Sequence, residues 1–154
     1  MTLSARSDSL VLGYLGRGLS LEFTAVQQFS TQARLLATWG LDAEAGRLQS
    51  LVGERMRLAD RIIARMLAVG VAPGASQLRP VRVGTTLSAM LEEDSRLDAD
   101  VQDLYGAAVA HCMRMEDADN RLFFGGLRND GQTVTRELAK WLAELGRPGK
   151  GAKF

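Results

Sequence analysis

Apolar residues recur at steps of three and four along most of the chain, and this is the spacing of an amphipathic helix. In the first such segment the recurring residues are Leu12, Leu15, Leu19, Val26, Phe29, Ala33 and Leu36. The segment ends at Trp39-Gly40, because glycine after the last periodic residue favours a helix stop. Three further segments show the same spacing, so the sequence predicts helices at about 9–38, 41–70, 85–115 and 117–145.

The connections between these helices differ in length. The first and third connections are short turns, whereas residues 71–84 form a long one that contains Pro73 and Pro80. Two helical hairpins joined by one long connection are typical of bundles with a crossover, and a simple up-and-down bundle does not need one. The pattern therefore predicts an all-α, ferritin-like four-helix bundle, formed by one domain of residues 1–154 with a flexible tail at 146–154.

The second helix carries two adjacent apolar stripes. One stripe is Leu51, Leu58, Ile62 and Met66, and its neighbour is Val52, Met56, Ala59, Ile63 and Leu67. A helix that packs only within its own bundle needs one stripe. The second stripe therefore predicts a contact with another copy of the chain across a two-fold axis, with Met56 near that interface.

Three charged residues lie on lines that are otherwise apolar. Arg55 falls on the core stripe of the second helix, Glu22 on that of the first and Asp98 on that of the third. A charge that points into a bundle needs partners of opposite charge. The sequence predicts a buried Glu22–Arg55–Asp98 cluster; the alternative is that these groups are partly solvated near the ends of the bundle.

Overall composition narrows the possible classes of function. The chain has 154 residues, of which 46% are apolar, and its 19 basic and 18 acidic side chains are scattered without blocks. This balance gives no basic surface for nucleic acid. Because no apolar run approaches the roughly 18 residues of a membrane span and the first residues are too polar for a secretory signal, we expect a cytoplasmic protein. The single Cys112 and single His111 exclude an internal disulfide and a multi-histidine metal site.

Residue by residue, the chain resembles the bacterioferritins over most of its length. The matching residues are Tyr14-Leu15, Glu22, Gln28, Ala33-Arg34, Trp39-Gly40-Leu41, Met56, Ala59-Asp60-Arg61, Pro73, Val83-Gly84, Met90-Leu91 and Asp94. The resemblance implies a hollow shell of 24 subunits that stores an iron mineral in its interior. It also implies a b-type haem that two subunits share through the axial ligand Met56 of each.

The same resemblance implies a haem pocket and a route for electrons. Phe23, Val26 and Gln27 match positions that line the pocket in the family, and Gly53, one turn before Met56, would leave room for a porphyrin. Each of these residues also has a purely structural alternative, Gly53 as an ordinary helix glycine. Family members take electrons from a small ferredoxin through the haem, which reduces the mineral and releases iron.

The di-iron ferroxidase centre of the family is not matched. Such a centre needs a Glu from each of two helices and Glu-x-x-His from each of the other two. Glu22 is retained, whereas Arg55 and Leu58 stand where Glu and His are expected, and Asp98 stands for a third Glu. On the fourth helix two alignments stay open, Asp130 with Thr133 or Gly131 with Val134, and neither supplies the ligand pair. The sequence therefore predicts no functional di-iron centre.

Together these observations predict a haem-binding subunit for iron storage and electron transfer. It would have no ferroxidase activity of its own and would share a shell with a second bacterioferritin subunit that keeps the di-iron ligands. The net charge of +1 is consistent with this division, because a cavity that nucleates iron should be acidic. Two alternatives stay open: a colourless bundle with a structural or interaction role, and a haem sensor or haem store without a mineral.

Overall fold

Four helices account for most of the structure, a computed structural model that describes residues 8–74 and 76–146. They are α1 (Ser9–Thr38), α2 (Asp42–Ala68), α3 (Leu87–Arg114) and α4 (Ala118–Leu145). The all-α prediction is confirmed, and α2 and α3 are each about two residues shorter at the crossover than predicted. Residues 147–154 of the predicted flexible tail lie outside the described residues.

Side-chain caps explain where three of the helices begin. The carboxylate of Asp8 accepts a hydrogen bond from the Val11 amide at 2.8 Å, and Thr86 accepts one from the Ala89 amide at 3.1 Å. Asp117 does the same for the Asn120 amide at 3.2 Å. Each cap satisfies an amide that has no carbonyl partner in the first turn of its helix. At the other end of α1, Gly40 has φ +81°, a left-handed conformation that glycine adopts without strain.

The apolar core consists of two halves, one towards each end of the bundle. The first half contains Leu15, Leu58, Ile62, Tyr105 and Phe124, and the second contains Phe29, Leu48, Leu91, Leu138 and Trp141, each with further neighbours. Both halves draw on all four helices. The charged residues Glu22, Arg55 and Asp98 lie between the two halves along α1, α2 and α3.

The crossover from α2 to α3 is held along α1 by three polar side chains spaced one turn apart. The Thr24 hydroxyl accepts from the Arg79 amide at 3.3 Å, and the Gln28 side-chain carbonyl accepts from the Arg82 amide at 3.1 Å. The Gln32 amide donates to the Arg82 carbonyl at 3.0 Å. Side chains of α1 thus satisfy backbone groups of the crossover, as extended segments require. Within the described ranges, no helix is long and apolar enough to cross a membrane.

Candidate functional site

A buried arginine joins two carboxylates at the centre of the bundle. Arg55 donates through Nη1 to Oε1 of Glu22 at 3.3 Å and to Oε2 at 3.4 Å, and through Nη2 to Oδ1 of Asp98. Arg55 and Glu22 are 0% exposed and Asp98 is 3% exposed. The predicted Glu22–Arg55–Asp98 cluster is therefore confirmed, and the partly solvated alternative is wrong.

Two hydroxyl groups complete this central charged cluster. The Tyr105 hydroxyl donates to Oε2 of Glu22 at 2.5 Å, and the Thr135 hydroxyl donates to Oδ2 of Asp98 at 2.6 Å. The cluster therefore connects all four helices. Sequence reasoning missed both donors. The signal for Tyr105 was available, because it lies two turns from Asp98 on the same face of α3.

Burial and charge act in opposite directions on the ionisable groups of the cluster. Burial raises the pKa of Glu22, and the attraction of Arg55 and the Tyr105 hydrogen bond only partly offset this effect. Burial lowers the pKa of Arg55, but the carboxylates of Glu22 and Asp98 outweigh it and the pKa is raised. Arg55 therefore stays positively charged at every physiological pH, and the centre of the bundle contains a permanent cation.

Only one of the two possible alignments of α4 places its residues towards the central charged cluster. Asp130 points away from the cluster: its side chain is 55% exposed and pairs with Arg61 of α2. Thr133 is exposed as well, whereas Gly131 and Val134 are buried. Of the two alignments left open by the sequence, the one with Asp130 and Thr133 facing the cluster is therefore wrong. The buried face of α4 begins one residue after Asp130. Gly131 and Val134, the residues of the other alignment, lie on that face and point to the core.

The donor set at this site does not fit two ferrous ions. Leu58, at the position of an expected histidine, is 4% exposed and packs in the first half of the core, where it offers no lone pair. Arg55 directs its guanidinium N–H groups to both carboxylates. A guanidinium has no lone pair with which to bind a metal ion. Over residues 8–74 and 76–146, no group of three or more His, Cys, Asp or Glu side chains is arranged to hold a metal ion.

Met56 lies on a different surface from the charged cluster. It follows Arg55 on α2 and is 45% exposed, so its thioether points away from the core. Gly53 lies one turn earlier, and a Cβ atom there would meet no neighbour within 4 Å. This face of α2 therefore has an exposed thioether, which is a soft ligand, and open space at Gly53.

The other residues assigned to the haem pocket lie on α1. The contact between Arg55 and Glu22 puts their next neighbours, Met56 and Phe23, at the same height in the bundle. Phe23 is half-buried against the first half of the core, Val26 is half-buried against the second, and Gln27 is exposed.

The second apolar stripe of α2 is only partly available for another subunit. Met56 and Leu67 are exposed, by 45% and 60%, and Ile63 is half-buried. Val52 and Ala59 are buried in the core of the same chain, at 6% and 0% exposure. The prediction that the whole stripe faces a partner is therefore wrong for Val52 and Ala59, because both residues belong to the core of the same chain.

Comparison with known proteins identifies the relatives of this chain. The profile of the ferritin-like domain matches residues 12–147. A bacterioferritin of Rhodobacter capsulatus is 32% identical over 125 residues, which cover 81% of this chain and 78% of the relative. A bacterioferritin of Mycobacterium leprae is 25% identical over 145 residues, 94% of this chain and 91% of the relative.

The fold is also that of solved bacterioferritin structures. A structure of the Rhodobacter capsulatus protein superposes with a TM-score of 0.87 at 30% identity and covers 93% of this chain and 89% of its own. That structure has a metal-free dinuclear site and a haem iron in a crystallographic special position. A mycobacterial bacterioferritin superposes with a TM-score of 0.86 at 26% identity, again over 93% of this chain and 89% of its own.

Proposed function

Because the chain belongs to the bacterioferritin family, we propose that it is the haem-carrying subunit of an iron-storage shell and has no ferroxidase centre of its own. Family membership supports the role in iron storage. The absence of a ferroxidase centre is inferred from the central charged cluster, and the haem from the outer face of α2.

The observation that carries this proposal is the position of the Arg55 guanidinium between Glu22 and Asp98. Resemblance to the family assigns these three positions to iron ligands. A fixed cation repels Fe(II), and its hydrogen bonds occupy the carboxylate oxygens that iron would need. Arg55 would thus replace the metal charge: it neutralises the carboxylates and keeps the bundle folded without iron.

For the haem, we propose that Met56 of each of two copies supplies an axial ligand. The side chain is exposed on a partly apolar face with open space over Gly53. In the structure of the Rhodobacter capsulatus relative the haem iron lies in a crystallographic special position; such a position is on a symmetry element, where a cofactor shared by two equivalent chains would lie. Two neutral thioethers favour the reduced state of a haem, which suits a cofactor that passes electrons to stored iron.

We further propose that the chain forms a shell of 24 subunits together with a second bacterioferritin subunit that keeps the di-iron ligands. The partner would oxidise Fe(II), and the present chain would bring electrons from a small ferredoxin to the mineral when iron is released. The need for a partner follows from the charged cluster, since a shell of this chain alone would have no site for rapid Fe(II) oxidation.

Haem titration of the purified protein tests the proposal. We expect the visible absorption spectrum of a low-spin haem with two thioether ligands, and we expect Met56→Leu to abolish it. Met113→Leu is the matched control, because Met113 is also exposed, at 59%, but lies near the end of α3. The control should bind haem as the wild type does.

Other results would favour the alternative functions. A wild-type protein that stays colourless, or haem binding that Met56→Leu leaves unchanged, would contradict the haem subunit and favour a structural bundle. Met56-dependent haem binding in a protein that assembles with no iron-storing partner would favour a haem sensor or haem store.

A further inference from the structure

A second buried carboxyl group lies apart from the central charged cluster, where α3 meets α1 and the crossover. Asp94 of α3 is 0% exposed, and its Oδ1 accepts a hydrogen bond from the Gln28 side-chain amide at 2.9 Å. Gln32, one turn along α1, is also 0% exposed and lies near enough to the Asp94 carboxyl group to affect its pKa. Both glutamines also hold the Arg82 backbone of the crossover.

Two oxygen atoms in this group have no hydrogen-bond donor. They are Oδ2 of Asp94 and Oε1 of Gln32, and both are completely buried. Each is an acceptor, and a buried acceptor without a donor destabilises the folded state, because it has lost its hydrogen bonds to water. The Gln32 amide has two N–H groups; one donates to the Arg82 carbonyl at 3.0 Å, and the other makes no hydrogen bond to Oδ2 of Asp94. One added proton, bound to Oδ2 and donated to Oε1, would satisfy both atoms at once.

We propose that Asp94 is a neutral carboxylic acid in the folded protein and that its proton links α3 to the two glutamines that hold the crossover. With the proton bound, Asp94 donates to Gln32 and accepts from Gln28, so all three side chains are fixed in one arrangement. Loss of the proton would leave a buried carboxylate with a single donor beside an unsatisfied amide oxygen. The attachment of the crossover to α1 would then weaken.

The charges around Asp94 agree with this arrangement. Burial raises the pKa of Asp94 to about 7, with a further increase from Glu93 on α3, while Gln28, Gln32 and Arg55 lower it by less. Arg55 on α2 acts from within the central charged cluster, where it is paired. The Arg82 side chain of the crossover is 76% exposed and lies 4.0 Å from Glu93. From α4, this half of the core receives the apolar residues Val134 and Leu138.

The effect on stability has a definite sign. The ordinary pKa of an aspartate is 3.8 and that of folded Asp94 is about 7. Between these values the folded chain keeps a proton that the unfolded chain loses, so the contribution of Asp94 to stability falls as pH rises and levels off above about 7. An aspartate stabilised as a carboxylate would show the opposite trend.

Asp94→Asn separates these two cases. Asparagine can donate to Gln32 and accept from Gln28 as the neutral acid does, but it does not ionise. We therefore expect the melting temperature of the variant minus that of the wild type to increase from about pH 4 to about pH 7 and then to stay constant. A difference that decreases over this range would overturn the proposal. Asp103→Asn, an exposed position on the same helix, is the control and should show no such increase.

Infrared spectroscopy of the wild type provides a test that needs no variant. With ¹³C-labelled aspartate, we expect a carbonyl band of a protonated carboxyl group at about pH 6 that disappears above about pH 8. Hydrogen exchange of the Arg82 amide, corrected for its intrinsic pH dependence, should accelerate over the same interval. Absence of the protonated band at about pH 6 would contradict the proposal that Asp94 is protonated, even if Asp94→Asn failed to fold.

Discussion

Arg55 of α2 contacts Glu22 of α1 at 3.3 Å, and neither side chain has any exposed surface. With Asp98, this pair separates the two apolar halves of the core at the middle of the bundle. A permanent cation is thus built into the place where the family resemblance puts iron. The relationship determines both the stability of the bundle and its chemistry.

Loss of the cation should destabilise the fold strongly. Arg55→Ala leaves Glu22 and Asp98 as neighbouring buried carboxyl groups without a counter-charge, so we expect the free energy of unfolding to fall by about 3–5 kcal/mol at neutral pH. Arg57→Ala is the control, because Arg57 is 66% exposed and its ion pair is with the nearby Glu54 on the same helix. Its effect should stay below about 1 kcal/mol.

Chemical denaturation of both variants measures these changes. An Arg55→Ala protein as stable as the wild type would contradict the account of the cluster. A destabilisation that disappears at low pH would support it, because protonation of the two carboxyl groups removes their repulsion.

Removal of the Tyr105 hydroxyl should have an effect that depends on pH. Burial has already raised the pKa of Glu22, and Tyr105 opposes that rise by donating to the carboxylate. Tyr105→Phe should therefore raise the pKa of Glu22 further. Because a raised pKa gives stability at low pH that is lost as pH rises, the variant should lose more stability relative to the wild type above about pH 4.5 than below it.

Melting temperatures of Tyr105→Phe and the wild type across this range provide the measurement. Tyr14→Phe is a suitable control, because it removes a hydroxyl from an α1 tyrosine whose ring packs near His111 and Phe124 instead of Glu22. The same pH dependence in both variants would argue against a specific role for the Tyr105 hydrogen bond.

Alanine substitution should have opposite effects on stability at two glycines, Gly84 and Gly125. A Cβ atom at Gly84 would lie 2.6 Å from the Met90 backbone nitrogen and 2.8 Å from the Ala89 carbonyl carbon. Gly84→Ala should therefore displace the crossover from the start of α3 and lower the melting temperature. Gly125 lies within α4, and its Cβ would meet nothing within 4 Å, so Gly125→Ala should stabilise by about 0.5–1 kcal/mol.

Thermal unfolding of the two alanine variants, side by side, tests the packing of the crossover. If Gly84→Ala leaves the melting temperature unchanged, the crossover can shift freely against α3. Destabilisation by Gly125→Ala would mean that another subunit packs closely on this part of α4.

Periodicity in the sequence was sufficient to predict the helices and the charged cluster. Glu22, Arg55 and Asp98 lie on apolar lines of three different helices, so their inward direction follows from helical geometry alone. Their mutual contact follows because buried charges need partners.

Periodicity could not predict the contacts that depend on the rotation of α4. Gly125, Gly126 and Gly131 interrupt its apolar pattern, and an error of one residue turns a helix face by about 100°. For this reason the sequence leaves both alignments of α4 open, Asp130 with Thr133 and Gly131 with Val134, and does not identify Thr135 as a donor to Asp98. The pairing of Asp94 with Gln28 and Gln32 depends on how α1 and α3 pack, which neither helix determines by itself.

The most direct test of the central claim is rapid-mixing Fe(II) oxidation by the purified chain alone. Because Arg55 occupies the centre of the bundle, we predict no fast, saturable phase after Fe(II) and oxygen are mixed, whereas a bacterioferritin with intact Glu-x-x-His pairs should show one. Glu22→Gln should then leave the slow rate of this chain unchanged. A fast phase that saturates at about two Fe(II) per chain and is abolished by Glu22→Gln would contradict the account.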